Sequence, residues 1–89
     1  MSTNLELVNT DFKPEHHTLE DTLLELAKYG EPMVCGYPDG WSVWIEVFVT
    51  GKGVAFKVRS GRKLKTPNDA AVQCYTRLVS AINQIKETD

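Results

Sequence analysis

The sequence predicts an α+β domain in which a helix is followed by a three-stranded antiparallel meander and a second helix. Three observations predict this order: apolar residues recur at helical spacing in residues 19–27, they alternate with polar residues across 41–59, and a helix start signal follows at residue 66. A three-stranded sheet cannot cover its own apolar face, so we expect both helices to pack on one face. We expect residues 1–17 to form a partly flexible arm and residues 18–89 a single domain.

The first helix is expected to begin after Thr18, a residue type that commonly caps helices, with Asp21 at the third helical position. Gly30 is expected to end it, because glycine readily adopts the left-handed conformation found just after helices. The apolar side chains that recur on one helical face are Leu19, Leu23, Leu26 and Ala27.

The strand pattern begins with a short apolar stretch at residues 33–37, a turn at 38–40, and a long alternating run from residue 41. The face expected to be buried carries Trp41, Val43, Ile45, Val47, Val49, Phe56 and Val58. The opposite face, expected to meet solvent or a partner, carries Trp44, Glu46, Phe48, Lys57 and Arg59. Short turns between all three strands require antiparallel pairing.

The second helix has the strongest start signal in the chain: Thr66 as the cap, Pro67 at the first position and Asp69 at the third. We expect it to continue to about residue 86. Its predicted apolar stripe is Ala71, Cys74, Leu78, Val79, Ile82 and Ile85. The residues predicted to face solvent are Gln73, Arg77, Asn83 and Gln84.

Charge is distributed unevenly along the chain, although the net charge is only -2. Residues 1–32 hold seven acidic residues against two lysines, whereas residues 51–65 hold six cations and no acid. The acidic candidate surface is Glu20, Asp21 and Glu25. The basic candidate surface is Lys52, Lys57, Arg59, Arg62, Lys63 and Lys65. A third candidate surface is the aromatic pair Trp44 and Phe48 with Glu46 between them, because large aromatics on an open sheet are typical anchors for partners.

Residue types that carry catalysis are present but not in catalytic patterns. His16 and His17 stand in the predicted arm with no convergent ligands, and Cys35 and Cys74 are far apart in apolar contexts. No phosphate-binding glycine motif occurs. The sequence therefore predicts a non-catalytic binding protein without cofactor or metal. With no leader pattern and no apolar run of about 20 residues, we expect it to lie in the cytoplasm and not in a membrane.

Two resemblances bear on the partner. The order of elements, with GKGVAFKV, a basic loop and TPNDAAVQCYTRL, resembles a double-stranded-RNA-binding domain. That family places a lysine pair at the start of its second helix, where this chain has Thr66, Pro67, Asn68 and Asp69. The run GWSVWIEVFVTGKGVAFKVRSG…TPNDAAVQCYTRL is similar to small phage and prophage proteins, and this resemblance spans about residues 18–82. Short acidic proteins of that class include anti-CRISPR and other host-takeover inhibitors.

The second resemblance implies a phage-encoded protein that acts in the host cytoplasm by occluding a surface of a host protein or ribonucleoprotein complex. On this hypothesis the acidic first helix would mimic nucleic acid. The alternative is a nucleic-acid-binding accessory domain that uses the basic hairpin and loop of residues 52–65. A homodimer formed through Trp44 and Phe48 is a third hypothesis.

Overall fold

The computed structural model describes residues 2–3, 12–49 and 54–87 of the chain. A short 3₁₀ turn at Pro14–His16 precedes the first helix. The helices and strands are β1 (Ser2–Thr3), α1 (Leu19–Leu26), β2 (Gly30–Tyr37), β3 (Gly40–Val49), β4 (Val54–Arg59) and α2 (Pro67–Glu87). The predicted α+β fold, with a meander between two helices, is confirmed.

Strand β3 is the centre of the sheet. It pairs antiparallel with β2 from Gly40 to Val47 and antiparallel with β4 from Trp44 to Val49. The short strand β1 pairs parallel with β3 at Phe48 and Val49. Because β4 occupies one edge of β3 at those positions, β1 must lie on the other edge, beyond the start of β2. This fourth strand is an addition to the predicted meander.

The core lies between the sheet and the two helices. Helix α2 packs across β3 and β4, and α1 packs against α2 and β2. The fully buried side chains from the sheet and from the helices include Leu26, Val43, Ile45, Val47, Ala71, Cys74, Leu78 and Ile82. Both helices therefore cover one face, as predicted, and the alternating residues of β3 provide the centre of the core.

Helix α1 is shorter than the sequence predicts. Its cap is as expected, since the Asp21 amide donates to Thr18 Oγ1 at 3.2 Å. The helix ends at Leu26, and Gly30 is the first residue of β2 and not a helix terminator. A Cβ at Gly30 would collide with the carbonyl oxygen of Glu46 on β3. Glycine is thus required there because two backbones approach closely.

Helix α2 begins as predicted. The Asp69 amide donates to Thr66 Oγ1 at 3.0 Å, and Pro67 occupies the first helical position. Gln73, predicted to face solvent, instead accepts a hydrogen bond from the Gly61 amide through its side-chain oxygen. The helix therefore contacts the segment that leads into it.

Residues 12–17 of the predicted arm lie against the helices. The Phe12 ring stacks on His17 with centroids 4.6 Å apart and meets the edge of Tyr75 on α2 at 5.1 Å. Pro14 is buried. These contacts join the N-terminal segment to α2 through aromatic packing.

Candidate functional site

The sheet face that points away from the helices, called the outer face below, carries aromatic and basic side chains in register. Pairing of β2, β3 and β4 places Met33, Trp44 and Arg59 in one row across the sheet. A neighbouring row contains Glu46 and Lys57. Side chains of directly paired residues stand on the same face, so these groups are neighbours above the sheet.

Two cations of the outer face lie over aromatic rings. Lys57 Nζ is 4.9 Å from the centroid of the Trp44 ring, and the Arg62 guanidinium carbon is 4.6 Å from the centroid of Tyr37. Both distances are within the range of cation–π attraction. The two pairs hold positive charge directly beside flat apolar surface.

Arg62 reaches Tyr37 because the segment 60–65, called the basic connector below, returns alongside β3. The Trp41 amide donates to the Leu64 carbonyl at 2.9 Å, and the Leu64 amide donates back to Trp41 at 3.3 Å. Gly40, at the start of β3, makes room for this return: a Cβ there would lie 2.6 Å from the Cα of Lys63. Because Gly40 has no side chain, the basic connector passes close to the hairpin tip, and Arg62 reaches Tyr37 on β2.

The end of β4 is fixed by polar contacts. Ser60 Oγ accepts the Val43 amide at 2.9 Å, and the Ser60 amide donates to the Val43 carbonyl at 2.9 Å. Arg77 of α2 donates to the carbonyl of Arg59 at 2.7 Å. These hydrogen bonds hold the backbone on both sides of the point where the basic connector begins.

A groove of about 300 Å³ opens on the outer face between these groups. Its lining residues are Tyr37, Ser42, Trp44, Arg59 and Arg62. Ser42 pairs with Cys35 in the row between Trp44 and Tyr37, and neither side chain of that row is large. The groove therefore exists because small residues separate two aromatic ones.

The basic candidates lie at the surface where the structure describes them. Lys57, Arg59, Arg62, Lys63 and Lys65 are all exposed. One of them, Lys63, forms an ion pair of 3.6 Å with Asp39 of the β2–β3 turn. Lys52 and the side chain of Phe48 lie outside the described residues.

The acidic candidates of α1 do not form a common surface. Glu20 and Asp21 are exposed. Glu25, predicted to belong to the same acidic surface, is buried with 6% of its surface accessible. Lys28 Nζ donates to Glu25 Oε1 at 2.9 Å, and this hydrogen bond raises the pKa of the lysine. Asp21 lies 3.4 Å from His17 Nδ1. Only two of the three carboxylates can therefore meet a partner at the surface.

Sequence reasoning missed Tyr37 and Ser42 as members of the site. Tyr37 ends the apolar stretch 33–37, and alternation from residue 41 puts Ser42 on the face of Trp44, but neither is among the predicted site residues. The turn in the structure consists of Pro38 and Asp39 only, so Tyr37 pairs with Gly40 and shares one face of the hairpin with Ser42 and Trp44. The expected turn at 38–40 would instead pair Tyr37 with Trp41 and place it on the other face. The contact between Arg62 and Tyr37 had no sequence signal, because it depends on the path of the basic connector.

The cysteines differ in environment. Cys74 is fully buried on α2, and burial raises the pKa of its thiol to about 12. Cys35 is half-exposed, on the outer face beside Ser42. Across the described part of the chain, no group of three or more His, Cys, Asp or Glu side chains is arranged to hold a metal ion.

Within the same described residues, neither helix has the length and apolar character needed to cross a membrane. No family model, no curated protein and no solved structure matches this chain in comparisons with known proteins.

Proposed function

We propose that this chain is a nucleic-acid-binding domain whose outer sheet face and basic connector form the binding surface. The observation that carries the proposal is the pairing of cations with aromatic rings around the groove: Lys57 over Trp44 and Arg62 over Tyr37. Proteins contact nucleic acid by neutralising phosphates with Lys and Arg and by stacking bases on aromatic side chains. The outer face offers both kinds of group within one groove.

The distribution of charge supports the same surface. Arg59, Arg62 and Lys65 are exposed with no ion pair among the described residues, so their charge is available to phosphates. Two acidic residues also stand on this face. Glu31 on β2 is directly opposite Glu46 on β3, and Lys57 on β4 is opposite Glu46 on its other side. Attraction for phosphate is therefore strongest along the basic connector, away from Glu31 and Glu46.

The test is fluorescence anisotropy with labelled oligonucleotides at about 50 mM salt, repeated at increasing salt. We expect binding that weakens as salt increases, because counterions are released when phosphates are neutralised. A variant with Arg59→Ala and Arg62→Ala should bind more weakly and show a shallower salt dependence. Lys13→Ala removes an exposed cation beside the Pro14–His16 turn and should bind as the parent does. If no oligonucleotide binds, the proposal is wrong.

The host-takeover inhibitor stays a prediction, supported by the sequence resemblance. Burial of Glu25 leaves Glu20 and Asp21 as the surface acids of α1 with which such an inhibitor could mimic nucleic acid. If reversing the charge of both residues has no effect on a host phenotype, that result counts against nucleic-acid mimicry by α1. The homodimer hypothesis likewise stays a prediction, and light scattering tests it.

A further inference from the structure

The groove on the outer face lies between flat side chains. Trp44 lies on one side, Ser42 lies between, and the pair of Tyr37 and Arg62 lies on the other side. Its volume of about 300 Å³ is at the lower limit of the range for ligand-binding pockets. It suits a single ring system and not an extended one.

We propose that this groove receives an unstacked base of a single-stranded nucleic acid, held between the Trp44 ring and the Arg62 guanidinium. This inference rests on the proposed function and specifies its substrate class. Aromatic rings and guanidinium planes are the surfaces on which proteins stack unpaired bases. The guanidinium of Arg62 lies over Tyr37 on one side, so Tyr37 supports the plane on which the base stacks.

A duplex cannot use this groove in the same way. Its bases already stack on each other, and only their edges are accessible in the grooves of the double helix. A protein that recognises a duplex by its phosphates gains little from two aromatic side chains beside a cleft. Trp44 and Tyr37 therefore favour a strand with exposed base faces.

Charges around the groove indicate the path of the strand. Arg59 lines the groove, and Arg62 and Lys65 continue the positive charge along the basic connector, where Lys63 is paired with Asp39. Glu46 lies in the neighbouring row beyond Trp44, where it would repel phosphates. The strand is thus expected to pass from Arg59 over the groove toward the connector, and not along β3 toward Glu46.

The experiment uses Trp41→Phe as the parent, which leaves Trp44 as the remaining tryptophan of the two in the chain. Trp44 emission is followed while oligothymidine of about ten nucleotides, or a duplex of equal length, is added. We expect the single strand to quench Trp44 and to bind at least about tenfold more tightly than the duplex.

Two substitutions separate stacking from charge. Tyr37→Leu removes the ring under Arg62, and Arg62→Lys retains the charge without the planar group. Each should weaken single-strand binding roughly 5- to 150-fold, the range for loss of one stacked base, and change duplex binding less than about twofold. Binding is measured only on variants whose urea unfolding matches that of the parent, and Arg62→Lys, at an exposed position, serves if Tyr37→Leu does not fold.

Outcomes distinguish this inference from the function on which it rests. Equal affinity for single strand and duplex, with full affinity in Arg62→Lys, would overturn the base-stacking groove and leave nucleic-acid binding intact. Failure of both nucleic acids to bind the parent would remove the proposed function and this inference together.

Discussion

Replacing Ser60 with alanine tests how the sheet ends where the basic connector begins. Backbone pairing between β3 and β4 ends at Trp44 and Arg59. The next residue, Ser60, stays bonded to β3 through its amide and its side chain. Its amide donates to the Val43 carbonyl. In return the Val43 amide donates to Ser60 Oγ at 2.9 Å, and not to the Ser60 backbone carbonyl. Alanine removes that acceptor, and the Val43 amide is then left without a partner.

The size of the effect follows from burial. Ser60 is 5% exposed and Val43 is fully buried, so water cannot readily replace the lost hydroxyl. A buried donor left unsatisfied costs about 1–3 kcal/mol. Ser60 Oγ also lies 3.4 Å from Ser42 Oγ, a distance too long for a strong hydroxyl hydrogen bond. Ser42→Ala should therefore cost less than about 1 kcal/mol, and Ser80→Ala, on the exposed side of α2, less than about 0.5 kcal/mol.

Urea unfolding followed by tryptophan fluorescence measures the three free energies of unfolding. Thermal unfolding should agree, with the midpoint of Ser60→Ala lower by roughly 4–8 °C for each kcal/mol lost. We expect the destabilisation to decrease in the order Ser60→Ala, Ser42→Ala, Ser80→Ala. Equal stabilities for the Ser60 and Ser42 variants would show that the Val43 amide finds another acceptor, and would refute the role assigned to the Ser60 side chain.

Two further predictions concern the cap of α2 and the two cysteines. Thr66→Ala removes the hydrogen-bond acceptor at the N-terminus of α2 and should lower the free energy of unfolding by about 0.5–2 kcal/mol. The matched control is Thr76→Ala, which removes an exposed hydroxyl within the helix and should lower the free energy of unfolding less. At about pH 8 a thiol reagent should modify Cys35 in the folded protein and Cys74 only after unfolding, because burial raises the pKa of the Cys74 thiol to about 12 and blocks access to it. Rapid modification of both thiols in native buffer, detected by mass spectrometry, would contradict the burial of Cys74.

The parts of the fold that were predicted correctly depend on local patterns. Alternation along β3 identifies the buried residues Val43, Ile45 and Val47, and the start signal at Thr66 and Pro67 locates α2 within one residue. Such signals are visible in sequence because cap residues and side-chain alternation act over a few residues.

The incorrect predictions depend on contacts between distant segments. Gly30 looked like a helix terminator, but it is required where β2 meets the backbone of Glu46. Trp41, assigned by alternation to the buried face, remains 37% exposed. Glu25 is buried although its side chain is acidic, because Lys28 donates to it and α1 packs against α2. Sequence spacing contains no information on how closely β2 approaches β3 or how α1 packs against α2.

The candidate site was predicted in part. Trp44, Lys57 and Arg59 were assigned to one face from strand parity alone, and the structure brings them together. Tyr37 joins them only because the basic connector returns past Gly40 and carries Arg62 across the hairpin tip. A loop path of this kind is determined by tertiary packing and cannot be predicted from spacing.

The most direct test of nucleic-acid binding by the outer face is an NMR titration of the isotope-labelled protein with a short oligonucleotide. We expect amide shifts at residues 37–44 and 57–65, which include the groove and the basic connector, and little change along α2. Shifts confined to α1 around Glu20 and Asp21, or the absence of any shift at saturating oligonucleotide, would contradict it.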